Sequence, residues 1–292
     1  GLRGNARVET MSETRDSPTG ARDRVPIDAA GLIEVAGADA LAFAHAQFSS
    51  DVAGLAPGAW QWSAWLTAQG RVRGVFALLR VADDRLLLWL PLGGARAMRD
   101  ALARYVLRAK VALGVDDWGL HAGGAPVPAR AVVARDGGYA FAPGDSRVAW
   151  LGPAPGAATD HRALDAWRLA DIAAGLPWIA PATQDEFVPQ ALDLERLDAI
   201  RFDKGCFPGQ EIAARLHFRG GAKQRLRRVT LRGAGEVAPG LRIEASGGSA
   251  GIVLYGAPSR EETFEALAVI GDAATGDTTL TTAHGHVVHL KT

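Results

Sequence analysis

The sequence predicts an α+β fold in which strands and helices are mixed without strict alternation, followed by a small all-β module. The mixed part is indicated by three apolar runs with turn residues between them, flanked by segments whose apolar residues recur at helical spacing. The all-β part is indicated by short apolar runs after Lys223 that Gly and Ser residues separate. A chain of 292 residues, 48% of them hydrophobic, can bury the core that such a fold needs.

The first predicted elements are a strand, a helix and a meander. Gly31–Ala36 is typical of a strand, and Asp39 can cap a helix that ends near Phe48. Gly70 and an Asp pair at 83–84 then act as turns in a three-stranded meander. Its strands are expected over residues 60–69, 71–81 and 85–92.

Two further helices are predicted before the last third of the chain. Ala95, Met98 and Leu102 recur at helical spacing within residues 94–107. The third helix has the clearest end signals, because Asp160 can cap its start, Gly175 suits the position after its end and Pro177 prevents continuation. Short strand candidates lie near residues 109–113 and 131–150.

Composition divides the chain into three parts. Residues 1–26 mix Gly, Ser, Thr, Pro and both charge signs without an apolar run, so we expect a disordered tail and no signal peptide. Residues 27–222 are expected to form the α+β body and residues 223–292 the β module, because Arg219-Gly220-Gly221 interrupts the helix-rich part. No stretch of about 18 consecutive apolar residues occurs, so we expect neither a membrane span nor a membrane partner.

The balance of charge and the single cysteine exclude several classes of protein. With 32 acidic and 32 basic residues, the net balance argues against direct nucleic-acid binding, and a solvated strand face is the simpler explanation of the local basic run. One cysteine excludes an intramolecular disulfide, a CxxC redox pair and a multi-cysteine metal site within one chain. We therefore expect a cytoplasmic protein. The basic run consists of Lys223, Arg225, Arg227 and Arg228, joined by Arg215 and Arg219.

The most informative segment, residues 202–220, holds the only cysteine, Cys206, and one of the four lysines, Lys204. Gly205 and Gly209 permit a tight loop in which main-chain N–H groups face a ligand. Pro208 favours the first position of a helix that good helix formers continue. A thiol at a helix N-terminus beside an ammonium group is favoured as the thiolate, so this segment is the candidate site.

Residues 187–220, FVPQALDLERLDAIRFDKGCFPGQEIAARLHFRG, resemble the signature of the YgfZ folate-binding proteins, which are related to the glycine-cleavage T-protein. The core of the motif is Lys204-Gly205-Cys206, an aromatic residue, any residue, and then Gly209-Gln210-Glu211, and it ends with Arg215. Residues 35–52, 66–72 and 171–179 extend the resemblance over most of the chain beyond the tail.

The resemblance implies a T-protein-like α+β body with a central opening of folate size and a C-terminal antiparallel β-barrel. It also implies a role in the assembly or repair of iron–sulfur enzymes, including those that modify tRNA. Tetrahydrofolate or a derivative would be the cofactor, and iron–sulfur client or assembly proteins would be the partners. Classical turnover is not expected; if there is any, it would be folate-dependent one-carbon transfer.

The resemblance also assigns roles to residues. Cys206 would act as a thiolate toward iron, a cluster or a partner, with Lys204 beside it, and Cys206 could be a metal ligand shared between chains. The plainer alternatives are a buried inert thiol for Cys206, an ion pair or loop cap for Lys204 and Glu211, and helix-end hydrogen bonding for Gln47 and Asp51. The expected ligand-binding residues are Gln47, Asp51, Gln190, Asp193, Gly205, Gly209, Gln210, Glu211 and Arg215.

Three departures from the related patterns bear on function. The T-protein relatives have an acidic pair shortly after the meander glycine, where this chain has Arg71 and Arg73. They also have a glutamate near Ala173, and the YgfZ pattern has asparagine at Asp193. The missing carboxylates count against the first alternative function, a tetrahydrofolate-dependent aminomethyl- or methyltransferase. The second alternative, an interaction scaffold without a ligand, stays open.

Overall fold

The computed structural model describes residues 24–29, 31–144, 146–153, 158–274 and 279–291, and these form an α+β body followed by a closed antiparallel barrel. The predicted fold class is confirmed. Of the predicted tail over residues 1–26, residues 1–23 lie outside the described part of the chain, and Val25 and Pro26 belong to the first strand.

The elements of the body, in chain order, are β1 (Val25–Ala29), β2 (Gly31–Ala36), α1 (Ala40–Gln47), β3 (Ala59–Leu66), β4 (Val72–Ala82), β5 (Arg85–Leu90), α2 (Ala95–Ala103), β6 (Ala112–Asp116), β7 (Trp118–Ala122), β8 (Val132–Arg135), β9 (Gly138–Gly144), β10 (Arg147–Pro153), α3 (His161–Ala173) and α4 (Gln210–Arg219). The barrel strands are β11 (Gln224–Arg232), β12 (Arg242–Ala245), β13 (Gly248–Arg260), β14 (Thr263–Gly271), β15 (Leu280–Thr282) and β16 (Val287–Leu290). Short 3₁₀ helices lie at Pro181–Thr183, Pro189–Leu192 and Asp272–Ala274.

The first sheet has the strand order β3-β4-β5-β2-β6, and it contains the predicted meander as its first three strands. Its strands are apolar on both faces because both faces are covered. Phe76 and Leu88 face one core together with Met98 of α2, whereas Ala77 and Trp89 face the other. Side chains alternate across a strand, so one meander serves two cores.

The second sheet has the order β1-β7-β10-β9-β8, and all of its pairs are antiparallel. It contributes Leu120, Phe141 and Leu151 to the core that Trp89 also lines. Aromatic rings dominate this shared core: the Trp62 and Trp178 rings lie 5.0 Å apart, edge to face. Trp60 of β3 and Trp89 of β5 pack edge to face on Phe141 of β9, with ring centroids 5.3 and 5.7 Å apart, and these contacts join the two sheets.

The C-terminal strands close into a barrel of order β11-β14-β13-β12-β15-β16, with β16 returning to β11. Val229 and Leu231 of β11 point into its interior, where Val253 and Ala268 also lie. The hydroxyl of the fully buried Tyr255 donates a hydrogen bond of 2.7 Å to the Leu176 carbonyl in the body. The division at residues 222 and 223 remains our prediction for the domain boundary.

Helix ends follow the sequence signals with two differences. Asp160 caps α3 as expected, because its side chain accepts from the Ala163 N–H at 3.0 Å. Asp39 precedes α1 as expected, but its carboxylate accepts from the Lys110 N–H at 2.7 Å instead of capping the helix. Pro208 does not occupy the first helical position, since α4 begins at Gln210 with Gly209 as its N-cap. No helix among the described residues has the length and apolar character to cross a membrane.

Candidate functional site

The Lys204 side chain fastens the motif loop to the C-terminal end of α1. Its ammonium group donates to the carbonyls of His45 at 2.6 Å, Phe48 at 2.6 Å and Ser50 at 2.9 Å. The last carbonyls of a helix have no partner within the helix, and an ammonium group has three hydrogens to offer. All three are therefore used on backbone oxygens, which matches the alternative of a loop cap.

The surroundings of this ammonium group shift two pKa values. Burial lowers the pKa of Lys204 to about 8, against the attraction of Asp51. Burial, and then the Lys204 charge, lower the pKa of His45, and Asp51 opposes both. His45 Nδ1 accepts from the Ala53 N–H at 3.1 Å, so the neutral ring carries its proton on Nε2. That nitrogen lies beside Gly205, where an added Cβ would stand 3.4 Å from it.

The loop presents Cys206 to solvent while its neighbours are anchored. Cys206 is exposed, which excludes the alternative of a buried inert thiol. Phe207 is 6% exposed, and its ring centroid lies 5.2 Å from the Lys204 ammonium. The thiol therefore lies on a loop that is anchored on both sides, and it is accessible to a macromolecular partner.

Gly209 brings the start of α4 against the turn between β3 and β4. Its φ is +77°, and an added Cβ would lie 2.3 Å from the Thr67 carbonyl oxygen and 2.7 Å from the Gly70 Cα. Only glycine fits both the angle and the approach. Gln210 and Glu211 form the first turn of α4, and Arg215 is exposed one turn later.

Of the other predicted ligand-binding residues, Gln47 ends α1, and Gln190 and Asp193 lie in and directly after the 3₁₀ helix Pro189–Leu192. Gln190 donates to the Ala213 carbonyl at 2.9 Å, and Asp193, at φ +55°, accepts from Arg196 Nε at 2.8 Å. Gln190 therefore ties the segment before the motif to α4, whereas the Asp193 contact is local to that segment. Within the described residues, the side-chain oxygens of Gln190 and Gln47 are buried without a hydrogen-bond partner.

A cavity of about 480 Å³ lies beside Asp51, and sequence reasoning missed most of its lining. Trp60, Gln61, Arg130 and Arg201 line it, together with Asp51. The Arg130 guanidinium lies 5.2 Å from the centroid of the Trp60 ring, a cation–π contact. The Trp60 indole nitrogen is buried and has no partner among the described residues.

A second cavity, of about 410 Å³, adjoins the first along the same two side chains. Trp60 and Arg130 line both cavities, and Trp62 lines the second. Arg130 has a φ of +61°, and its backbone carbonyl accepts from the backbone N–H of Trp60 at 3.0 Å. This backbone contact holds the arginine over the indole ring, and no local sequence pattern around residue 130 could have indicated it.

The two arginines that replace the acidic pair of the T-protein relatives contact the segment before the motif. Arg71 donates to the Glu186 carbonyl at 2.9 Å, and Arg73 pairs with Asp185 at 3.2 Å. These two arginines hold the segment before the motif against β4. They offer no carboxylate for proton transfer at a folate nitrogen.

A buried carboxylate lies near Ala173, which is itself exposed. Asp171 accepts from Arg147 at 2.8 Å and from the Trp178 indole N–H at 2.9 Å. Burial raises the pKa of Asp171, while Arg147 and Trp178 oppose the rise. Sequence reasoning considered Ala173 and overlooked this residue, although its position on the core side of α3 was readable from the helical spacing.

The described part of the chain contains no group of three or more His, Cys, Asp or Glu side chains arranged to hold a metal ion.

Comparison with known proteins gives long sequence matches, while no family model matches the chain. The chain is 33% identical to an uncharacterized protein of Haemophilus influenzae over 199 residues, which are 66% of this chain and 68% of that protein. It is 30% identical to the tRNA-modifying protein YgfZ of Vibrio vulnificus over 229 residues, 70% of this chain and 68% of the relative.

A solved structure shares the fold. The glycine cleavage system aminomethyltransferase T from Bartonella henselae superposes with a TM-score of 0.70 over 92% of this chain and 85% of that protein. The two sequences are 16% identical, so this likeness concerns the fold alone. It agrees with the body and barrel described above.

Proposed function

This chain belongs to the YgfZ family, and we propose from that premise that it is a tetrahydrofolate-binding accessory protein. In this proposal it supports the assembly or repair of iron–sulfur enzymes, including enzymes that modify tRNA, through the exposed Cys206. The named relative supports the link to tRNA modification. The cavity beside Asp51 is the observation that carries the folate part of the proposal.

The residues around this cavity match the chemistry of a folate. The ligand has a hydrogen-bonding ring system, an aromatic linker and a glutamate tail with carboxylates. Asp51 and Gln61 offer oxygen acceptors, the buried Trp60 side chain under Arg130 contributes an apolar part of the wall, and Arg130 and Arg201 offer guanidinium groups for carboxylates. A volume of about 480 Å³ lies in the range of cavities that hold ligands of this size.

The unpartnered indole nitrogen of Trp60 supports a polar occupant. A buried donor without an acceptor destabilises a protein by about 1–3 kcal/mol, so a ligand whose acceptor reached this nitrogen would remove that cost. Arg201 is partly engaged by Asp203, at 3.0 and 2.9 Å, on the surface side. In the proposal, Trp60 and Arg130 orient the ligand, and Arg201 completes the cationic side of the cavity.

Tetrahydrofolate carries one-carbon units on a pterin-ring nitrogen, on the nitrogen of its aromatic linker, or bridged between the two. The chain itself supplies a binding cavity and an accessible thiol, and the two are linked through the end of α1. Asp51 lines the cavity, while the carbonyl of the preceding residue, Ser50, accepts from Lys204 at 2.9 Å. A ligand that displaces the Asp51 segment would therefore act on the loop that presents Cys206.

A cellular experiment tests the accessory role. Cells that lack their own copy of this protein would be complemented with the wild-type chain, Cys206→Ala, Arg130→Gln or a control, Leu107→Ala, whose side chain is 89% exposed. Methylthiolated tRNA would be quantified by mass spectrometry. We expect the wild type and the control to restore the modification, and the other two to restore less than about a tenth of it. Full restoration by Cys206→Ala would exclude the thiolate role.

Aminomethyl or methyl transfer is the second candidate, favoured by the fold shared with an aminomethyltransferase. The arginines after Gly70 count against it, because they are engaged with residues 185 and 186 and offer no carboxylate. Release of ammonia from an aminomethylated carrier protein, with purified wild-type chain and tetrahydrofolate, would establish this activity. We expect no release above the rate without protein.

A further inference from the structure

A long acid-free segment lies at the junction of the body and the barrel. Residues 212–235 contain no Asp or Glu and seven cationic residues, although the whole chain has 32 acidic and 32 basic residues. The charge is therefore unevenly distributed, and the neutral total conceals a positive region. The seven cationic residues are Arg215, Arg219, Lys223, Arg225, Arg227, Arg228 and Arg232.

The first part of this segment runs from the end of α4 into β11. Helix α4 and strand β11 both pack against the 3₁₀ helix Pro189–Leu192, so the helix end and the strand start are neighbours. Arg219, Lys223 and Arg227 are exposed there, and no ion pair to any described residue engages them. Arg225 differs, because it pairs with Asp272 at 3.3 Å. Three unneutralised cations thus line this surface.

An exposed aromatic side chain accompanies these cations. Phe218 is 76% exposed, and its ring lies 4.7 Å from the His217 ring and 6.3 Å from the Phe202 ring. A cavity of about 380 Å³ opens between Phe202 and Phe218. Three carboxylates also line this cavity: Glu195 lies 2.9 Å from His217 Nδ1, and Asp203 and Asp198 lie 2.9 and 4.0 Å from the Arg201 guanidinium.

We propose that this surface, formed by Phe218, Arg219, Lys223 and Arg227, binds single-stranded RNA directly. The three cations would contact successive phosphates, and an unstacked base would enter the cavity and stack on Phe218. Proteins recognise single-stranded RNA by this combination, because phosphates need cations and every base offers a flat face. An isolated exposed phenylalanine would need no explanation, but one that directly precedes Arg219, in a segment with two further unpaired cations, fits a stacking platform.

The inference revises the expectation that the neutral total charge argues against nucleic-acid contact. It stands on the surface itself, and only the choice of tRNA as the RNA to test rests on the proposed function. Phe202 precedes Cys206 by four residues in the same loop. RNA on this surface would therefore lie along the segment that presents the thiol.

Fluorescence anisotropy with the full chain tests the proposal. The probes are a dye-labelled tRNA anticodon stem-loop and a blunt RNA duplex of the same length. We expect saturable binding, tighter for the stem-loop, that weakens as salt is raised from 50 to 200 mM. The triple variant Arg219→Gln, Lys223→Gln, Arg227→Gln should bind at least tenfold more weakly, and the slope of log K against log salt should fall by about 2–3.

A matched control removes the same charge elsewhere. Arg104, Arg108 and Lys110 are exposed near the end of α2, so their triple replacement by Gln changes the net charge equally. We expect it to bind within twofold of the wild type. Phe218→Ala should weaken stem-loop binding about five- to hundredfold with little effect on the duplex, and Phe218→Trp should restore it.

Three results would overturn the inference: no saturable stem-loop binding at 50 mM salt, equal losses in the two triple variants, or no effect of Phe218→Ala. Competition by polyglutamate as effective as by RNA of equal charge would also overturn it, and would identify an acidic protein as the partner. Titration of the same variants with tetrahydrofolate keeps the two proposals separate, because none of the replaced residues lines the cavity beside Asp51.

Discussion

At the scale of single residues, Lys204 shows how a rare group can be both predictable and misjudged. Its position next to Gly205 and two residues before the only cysteine marked it as special in the sequence. Its partners could not be predicted, because they are backbone carbonyls of His45, Phe48 and Ser50, more than 150 residues earlier. The same reason hid the contact of Arg130 with Trp60, which pairs two segments that are distant in sequence.

The titration of Lys204 gives the first prediction. Burial lowers its pKa to about 8, so its side-chain resonance should titrate near pH 8 by ¹⁵N NMR, whereas ordinary lysines titrate near about 10.4. The chain has four lysines, so the resonance is identified by its loss in Lys204→Arg. A lysine resonance set that stays unchanged up to pH 10 would contradict the prediction.

The sign of the accompanying change in stability follows from linkage. Between about pH 8 and the ordinary value of 10.5, the unfolded chain binds the Lys204 proton more tightly than the folded chain. The contribution of Lys204 to the free energy of unfolding therefore rises with pH across this window. The difference between wild type and Lys204→Met, followed by urea unfolding, should shift in favour of the wild type from pH 8 to 10; the opposite slope would contradict this.

At the scale of elements, helix α4 lies between two glycines that have different tasks. Gly209 and Gly220 have φ values of +77° and +69°, but only Gly209 has backbone atoms where a Cβ would lie. The sequence indicated a tight loop at Gly209 and an interruption of the helix-rich part at Gly220. It could not distinguish them, because the close approach of Thr67 and Gly70 depends on the tertiary fold.

This pair allows a controlled comparison. Gly220→Ala should reduce the free energy of unfolding by about 1 kcal/mol, from backbone strain alone. Gly209→Ala should cost about 1–3 kcal/mol more, because the added methyl group also overlaps backbone atoms. Urea unfolding of both variants, with an unchanged dependence on urea concentration, measures the difference. Equal costs would mean that Gly209 is not in close contact with the β3–β4 turn.

Element types were predictable where local signals were complete. The helix that Asp160 caps and the meander around Gly70 were both predicted, because caps and turns are local chemistry. The partner of the Asp39 carboxylate was not predictable, because it is the backbone N–H of Lys110, which lies 71 residues later in the chain. The order of strands in the second sheet depends on equally distant pairings and has no signal in the sequence.

At the scale of the whole molecule, the body and the barrel meet through a buried hydrogen bond. Tyr255 of β13 donates to the Leu176 carbonyl at 2.7 Å, and burial, with the nearby Asp171 charge, raises the pKa of this tyrosine. A deprotonated hydroxyl could not donate, so the rise preserves the contact at alkaline pH.

Removal of this hydroxyl should weaken the coupling of the two parts. Tyr255→Phe should lower the free energy of unfolding by about 1–3 kcal/mol, because the buried carbonyl loses its partner. Tyr105→Phe is the control, since Tyr105 is 45% exposed, and it should change stability by less than about 0.5 kcal/mol. Thermal or urea unfolding measures both, and a cost for Tyr255→Phe no larger than the control's would disprove the coupling.

The fold class was readable from composition and spacing, and the candidate loop from its unusual residues. The cavity was not, because it joins Asp51, Trp60, Arg130 and Arg201 from four separate segments. Summed charge likewise concealed the positive surface near Phe218, since acidic residues elsewhere balance it. Composition and local sequence patterns therefore predict secondary-structure elements, whereas sites formed by residues from distant segments require the structure.

Anaerobic calorimetry with tetrahydrofolate tests whether the protein binds a folate. The full wild-type chain should show saturable binding of one ligand per chain. Arg130→Gln should weaken it at least tenfold, and the exposed control Arg104→Gln should not. Absence of saturable heat for the wild type at two temperatures would contradict the folate proposal and favour a scaffold without a ligand.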